Sequence, residues 1–233
     1  MPGHSERAQS DRREEIVAAA LRVFSTHGFA GATNQLVANE AGVKSAGLIY
    51  HYFASKEDLL RAVAERYAPP LRLLERGEEI VALPPREGLT LIGQAYLSLL
   101  DDEQFGRCVT LIWGEALRNP PLAATIHQVG PRRLINLVEN FLDRKMGEGL
   151  LRRADVHITA RLFIWPFMGL LLSRRLFGPD FNPFESKAML ETHVELFLQG
   201  IAAPSQNANT GRSTGALLSA APEAVSERTT AEI

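Results

Sequence analysis

Between Thr33 and Phe53 the chain reads as two short helices joined by a glycine, and no other stretch restricts the fold as much. From Thr33 to Ala41 the apolar residues fall at helical spacing. Leu36 or Val37, Ala38 and Ala41 can turn inward, leaving Asn34, Gln35, Asn39 and Glu40 outside. Gly42 then predicts a stop, because glycine enters the left-handed conformation past a helix end without a Cβ clash. Val43 fills the elbow. In the segment Lys44 to Phe53, Ile49 and Phe53 lie one turn apart and can dock on neighbouring helices. Ser45, Ala46 and Gly47 are small enough to approach base edges, and Tyr50, His51 and Tyr52 carry donors suited to phosphate oxygens. Helix, tight turn and helix with a small-residue tip is how proteins enter the major groove of DNA. An ordinary helical hairpin whose tyrosines cover a core is the alternative that composition leaves open.

The Gly28-Phe29 turn, Thr33, Val37-Ala38, Ala41-Gly42-Val43, Gly47, Ile49-Tyr50, His51-Tyr52-Phe53 and Ser55-Lys56-Glu57 together form a spaced pattern. Through them the segment from Arg12 to about Tyr67 resembles the N-terminal DNA-binding domain of the TetR family of bacterial transcriptional regulators. Two departures stand out. Val43 to Tyr50 is seven steps where the family usually has six, so one residue is inserted within Lys44-Ser45-Ala46. Asn34 stands where the family usually has an apolar residue, and Ala32 replaces the first of a common threonine pair. Asn34 is thus a candidate phosphate contact or simply a helix-start cap. Gln35, Lys44, Ser45, Ala46 and Gly47 are the candidates for base edges; Thr33, Asn34, Tyr50, His51, Tyr52 and Lys56 are those for phosphates. Lys56 opens a helix where a cation opposes the macrodipole, which suits a phosphate contact. A lysine at this position contacts the DNA backbone in the resembling family. Thr33, Gly42 and Gly47 have a purely structural alternative.

A chain of 233 residues that is 45% hydrophobic can bury a sizeable core in one or two domains. Net charge is only −2 and the pI is near 6.3, which argues against a protein that coats nucleic acid through bulk charge but not against a groove reader. One cysteine excludes an internal disulfide, and the polar start MPGHSERAQSDRREE lacks a signal-peptide core; both fit a cytoplasmic protein.

Taken in order, residues 1–10 read as a disordered arm. Asp11 and Glu14 resemble a capping box opening a first helix that Gly28 stops. Ser55 caps a fourth helix carrying Leu59, Leu60, Val63 and Tyr67, and Pro69-Pro70 marks the boundary between a DNA-binding domain over 11–68 and a helical ligand-binding and dimerisation domain over 69–202. Residues 71–86 read as a helix and a Pro-Pro loop. Helical patterns follow at about 87–101, 104–118 and 122–147, the last broken at Gly130-Pro131. The run Val156 to Leu172 is apolar nearly all round and contains Pro166, while its uncharged part, Leu162 to Ser173, is too short for a membrane span. Asn182-Pro183-Phe184-Glu185 opens a last helix that Gly200 ends. Two such apolar helices at the end of a chain suggest a subunit interface, each copy giving a pair to a four-helix bundle, as in the resembling family. Residues 203–233, rich in Ser, Asn, Thr, Ala and Gly, read as a flexible tail.

No HExxH, bundle di-iron pattern, GxSxG or GxxxxGK[ST] occurs, so no enzyme activity, metal or cofactor is expected. Cys108 sits among apolar residues as a small hydrophobe, with redox sensing as the minor alternative. His127, His157 and His193 lack ligand spacing. Tyr96, Phe105, Trp113, Phe141, Phe163, Trp165, Phe167 and Met168 could line a ligand cavity, or be plain core. The resemblance makes this half an effector domain, matched only in being helical and in the weak local pattern from Glu115 to Leu122. The expectation is an all-α homodimer that represses transcription from a palindromic operator on double-stranded DNA. A small, largely apolar effector would release it, and no membrane is involved. Activator and protein–protein adaptor remain the alternatives.

Overall fold

The computed structural model describes residues 4–203, and among them the backbone is helical apart from its turns and one antiparallel bridge, Leu151 to Ala202. The first four helices are α1 (His4–Gly31), α2 (Asn34–Glu40), α3 (Ala46–Tyr52) and α4 (Lys56–Tyr67). They enclose a small core of Ile16, Ala20, Phe24, Val37, Ala38, Ile49, Phe53, Leu59 and Val63, the residues whose spacing points inward.

The start of α1 differs from expectation. Residues 4–10 contain no proline or glycine, so nothing stops the helix short of His4, and the expected arm is helical wherever it is described. Asp11 therefore lies inside the helix with no open amide to cap, and its neighbour Arg12 pairs with Glu15 at 2.6 Å instead. Gly28 does break α1: its φ of +69° kinks the chain, and the helix resumes as far as Gly31. The tail expected over residues 203–233 lies, from Pro204 onward, outside the described residues.

Ala68 leaves helical geometry and Pro69 opens α5 (Pro69–Arg72), so α4 ends where the Pro-Pro pair says it must. The core does not divide there, because Ala68, Leu71 and Leu73 continue it and α1 lies along a later helix over Glu103–Ala116. The single helix expected from residue 71 is in fact a 3₁₀ turn (Leu73–Arg76) and α6 (Gly77–Ala82). There follow α7 (Pro85–Leu97), α8 (Glu103–Ala116), α9 (Pro120–Val129), α10 (Pro131–Gly147), α11 (Val156–Phe177) and α12 (Ser186–Ile201). The break expected at Gly130-Pro131 separates α9 from α10.

Two expectations about the last helices need correcting. Asn182 and Pro183 do not open α12; the Asn182 amide donates to Ser173 Oγ at 2.7 Å, fastening the loop to α11, and the helix starts at Ser186. Nor does Gly200 end it. The Gly200 carbonyl accepts from Arg152 Nε at 2.9 Å and the Ile201 carbonyl from the Arg152 amide at 2.9 Å, so the last turn is satisfied past the glycine. Leu162 to Ser173 is only part of α11, whose 22 residues are long and apolar enough to cross a membrane. Yet Ala160, Phe163, Ile164, Phe167, Leu170 and Leu171 sink into the protein core, and Arg161, Arg174 and Arg175 ride on the same helix.

Candidate nucleic-acid interface and internal cavity

The link between α2 and α3 is built by Gly42. With φ at +64° it lets its own amide reach the Asn39 carbonyl (3.2 Å) and the Val43 amide reach the Ala38 carbonyl (2.9 Å). This pair of bonds closes the end of α2 and turns the chain back. Val43 packs on the core beneath, and Ile49 and Phe53 anchor α3. Arg22 of α1 forms an ion pair with Glu40, fixing the far end of α2 against α1.

On that frame most of the residues nominated for DNA stand outward together. Gln35, Lys44, Ser45, Gly47, Tyr50 and His51 are exposed, Tyr50 at 62%, while Asn34, Ala46 and Tyr52 are half-buried. Thr33 caps α2, its hydroxyl accepting from the Leu36 amide at 3.2 Å, so Asn34 does not have that task. Gln35 donates to Asn39 at 2.9 Å, and the His51 and Tyr52 rings meet edge-on at 5.2 Å. Lys44 and Ser45 lie in the link before α3, Ser45 in extended backbone, and Ser45 spends no side-chain hydrogen bond on capping.

Lys56 is engaged within the protein. Its ammonium donates to the carbonyls of Phe29 (2.7 Å) and Ala32 (3.0 Å) and sits 4.5 Å from the centre of the Phe29 ring. From the first position of α4 its side chain reaches back to the end of α1, while Ser55 caps α4 by accepting from the Asp58 amide at 3.1 Å.

Behind the head lies a cavity of about 380 Å³, within the range of small-molecule sites. Its walls come from α4, α5 and α7 to α11, and five of the nominated residues line it: Tyr96, Phe105, Trp113, Trp165 and Met168. The other three do not. Phe141 is fully buried beneath Gly88, where a Cβ would stand 2.3 Å from its ring. Phe163 stacks on His193 with ring centres 5.2 Å apart, and Phe167 stacks on Tyr96 at 6.1 Å while meeting His193 edge-on at 5.1 Å, so both rings are committed to packing. His193 Nε2 donates to the Phe163 carbonyl at 2.9 Å.

The lining is apolar with few polar groups. Burial drives the Tyr96 phenol far above its usual range, so it is a neutral donor. Burial, and then the charge of Asp102, push the Cys108 thiol up to about 12, which removes the thiolate that redox sensing requires. Arg161 and His127 also line the cavity; the sequence marks His127 only as a lone histidine and gives Arg161 no signal. Arg161 donates to Glu139 at 2.8 Å, and His157 Nδ1 meets the same oxygen at 2.9 Å. Burial pulls the Glu139 carboxyl up, but hydrogen bonds from His157 and Arg161 outweigh it and hold the group below the usual carboxylate range. Among the described residues no three His, Cys, Asp or Glu side chains are grouped to hold a metal ion.

Residues 16–63 match the family model described as bacterial regulatory proteins, tetR family, and residues 87–200 that of the AefR-like transcriptional repressor C-terminal domain. The HTH-type transcriptional regulator BetI of Paraburkholderia phytofirmans is 31% identical over 196 residues, covering 80% of this chain and 93% of that protein. BetI of Stenotrophomonas maltophilia is 27% identical over 196 residues, covering 82% and 95%. Among solved structures, SmeT, the repressor of the Stenotrophomonas maltophilia multidrug efflux pump SmeDEF, shares the fold at a TM-score of 0.64 and 25% identity, over 82% of this chain and 90% of that one. FadR of Bacillus subtilis, solved with stearoyl-CoA, shares it at a TM-score of 0.65 and 23% identity, over 81% and 98%.

Proposed function

Because the chain belongs to the TetR family of bacterial transcriptional regulators, we propose that it represses transcription as a cytoplasmic homodimer on a roughly palindromic operator and lets go when a small apolar molecule fills the cavity. One observation carries the reading. Leu60, Val63 and Ala64 of α4 form part of the cavity wall, and Lys56 at the head of that same helix grips the turn that leads into α2. A molecule that fits the cavity in only one setting of α4 favours the corresponding setting of the heads, and its differential affinity is the whole of its effect on DNA binding. The wall is apolar with Arg161 and His127 at a few points, so the effector it suits best is an apolar body bearing one hydrogen-bond acceptor. The AefR-like repressor match over the C-terminal half supports repression over activation.

The test is a gel shift of the full chain on the duplex upstream of its own coding sequence, at two salt concentrations, with a thermal-shift screen of apolar acids and amides alongside. Retarded duplex with affinity falling steeply with salt, and release by a compound that raises the melting temperature, are the expected results. A protein indifferent to that duplex at low salt overturns the reading.

A further inference from the structure

The turn closing α1 is gripped from both sides. Gly28 takes φ +69°, and the Ala30 amide two residues on donates to Glu115 Oε2 at 2.8 Å. A Cβ on Gly28 would stand 1.8 Å from Glu115 Oε1, so the missing side chain is the space the carboxylate occupies. From the opposite side Lys56 holds the carbonyls of Phe29 and Ala32. The segment Gly28–Ala32 is therefore suspended between a carboxylate on α8 and an ammonium on α4, and the next residue, Thr33, caps α2.

Helix α8 is also a cavity wall, through Phe105, Cys108, Val109, Ile112 and Trp113. Residues two apart on a helix face nearly opposite ways, so Trp113 lies on the cavity and Glu115 on the head. We infer that Glu115 is the positioning residue through which the state of the cavity reaches the DNA-reading head. A shift of α8 that accommodates a ligand carries the carboxylate with it, and the Gly28–Ala32 turn and the start of α2 follow. The inference rests on the cavity being the effector site. Glu115 stands within the Glu115 to Leu122 pattern visible in the sequence, but nothing there says that its partner is an amide on α1.

Linkage makes the coupling readable without knowing the effector, since what passes from cavity to head must also pass back. Both tryptophans of the chain, Trp113 and Trp165, line the cavity. The experiment follows tryptophan emission of the full chain as the upstream duplex is added to saturation, together with hydrogen exchange of the segment around Ala30 in the free protein. In the wild type, bound duplex is expected to shift the emission. Glu115→Ala should lose at least half of that shift and exchange the Ala30 amide at least tenfold faster. Glu115→Gln, which keeps an acceptor oxygen, should restore both, and Gly28→Ala, whose Cβ expels the carboxylate, should behave like Glu115→Ala. A full emission shift in Glu115→Ala, unchanged Ala30 exchange, or a wild-type emission unmoved by bound duplex each overturns the inference. A wild type that ignores duplex altogether overturns the regulator reading instead, and Ala30 exchange then decides the clamp alone. Should Glu115→Ala not fold, comparing Gly28→Ala with Glu115→Gln decides the same question by the same two readouts.

Discussion

Gly47 occupies the first turn of α3, exposed and helical, and a Cβ built on it meets nothing nearer than Ser45 Oγ at 3.5 Å, an ordinary contact. Nothing within the protein requires glycine there. Inside a helix glycine costs about 0.5–1 kcal/mol relative to alanine, so the residue is retained against a local stability cost. Close approach to another molecule is the remaining use of a missing side chain. Gly47→Ala is therefore expected to melt at the same or a slightly higher temperature and to bind operator more weakly, an added methyl at a packed contact costing about 1–3 kcal/mol. Thermal unfolding and a gel shift read the two effects separately, and unweakened operator binding would show that the groove is not approached at Gly47. Gly42 is the opposite case: its positive φ makes it structural, as its place after a helical pattern implies. The role of Lys56 is hidden in the sequence, which shows the charge but not the carbonyls of Phe29 and Ala32 that the Gly28 kink brings beneath it.

Elements are legible where a stop signal and a periodic run coincide, as at Gly42, Pro69-Pro70 and Gly130-Pro131, and illegible where tertiary contacts decide. Asp11 resembles a helix start, yet the helix continues upstream because no breaker intervenes. Gly200 reads as a stop, but Arg152, distant in sequence, supplies donors for the last carbonyls. The cavity is half-legible for a similar reason. Aromatic content marks the right helices, but Phe163 is stacked on His193, whose ring also serves the Phe163 carbonyl in the turn before Pro166, and Phe167 is stacked on Tyr96. The seating of α7 is likewise invisible in its sequence. Gly88 and Gly93 let it sink until Phe141 covers one and Leu190 and Phe167 the other. A Cβ at Gly93 would lie 2.4 Å from Leu190 Cδ1 and 2.9 Å from Phe167 Cζ, both side chains nearly fully buried. Gly93→Ala should therefore lower stability by about 1–3 kcal/mol, a fall in melting temperature of about 2–4 °C per kcal/mol for a chain of this size. An unchanged melt would mean that α7 and α12 separate freely.

At the scale of the molecule, one face remains to be accounted for. Ile158, Leu162 and Trp165 recur on α11 at spacings of four and three, each about 60% exposed, and Leu196 of α12 stands beside the first two. An exposed apolar stripe of this kind is what the proposed homodimer needs: a second copy meeting it about a two-fold axis would complete a four-helix bundle. In the proposed dimer that axis would give the operator reading its geometry, with α3 and its symmetry mate entering major grooves about 34–36 Å apart. Trp165 belongs to the stripe and to the cavity wall at once, so the proposed bundle and effector site would share a surface. Leu162→Asp with Leu196→Asp places four carboxylates at the centre of the bundle and should leave a folded monomer by sedimentation. Each head then binds its half-site unaided, without the millimolar effective concentration that tethering to a bound partner provides. Operator affinity is expected to fall about 10²–10⁴-fold. The dependence of log K on log salt should drop to about half, because half as many phosphates are neutralised per binding event. A variant that stays dimeric, or a monomer that binds the full operator as tightly as the wild type with an unchanged salt slope, would place the interface elsewhere or remove the need for one.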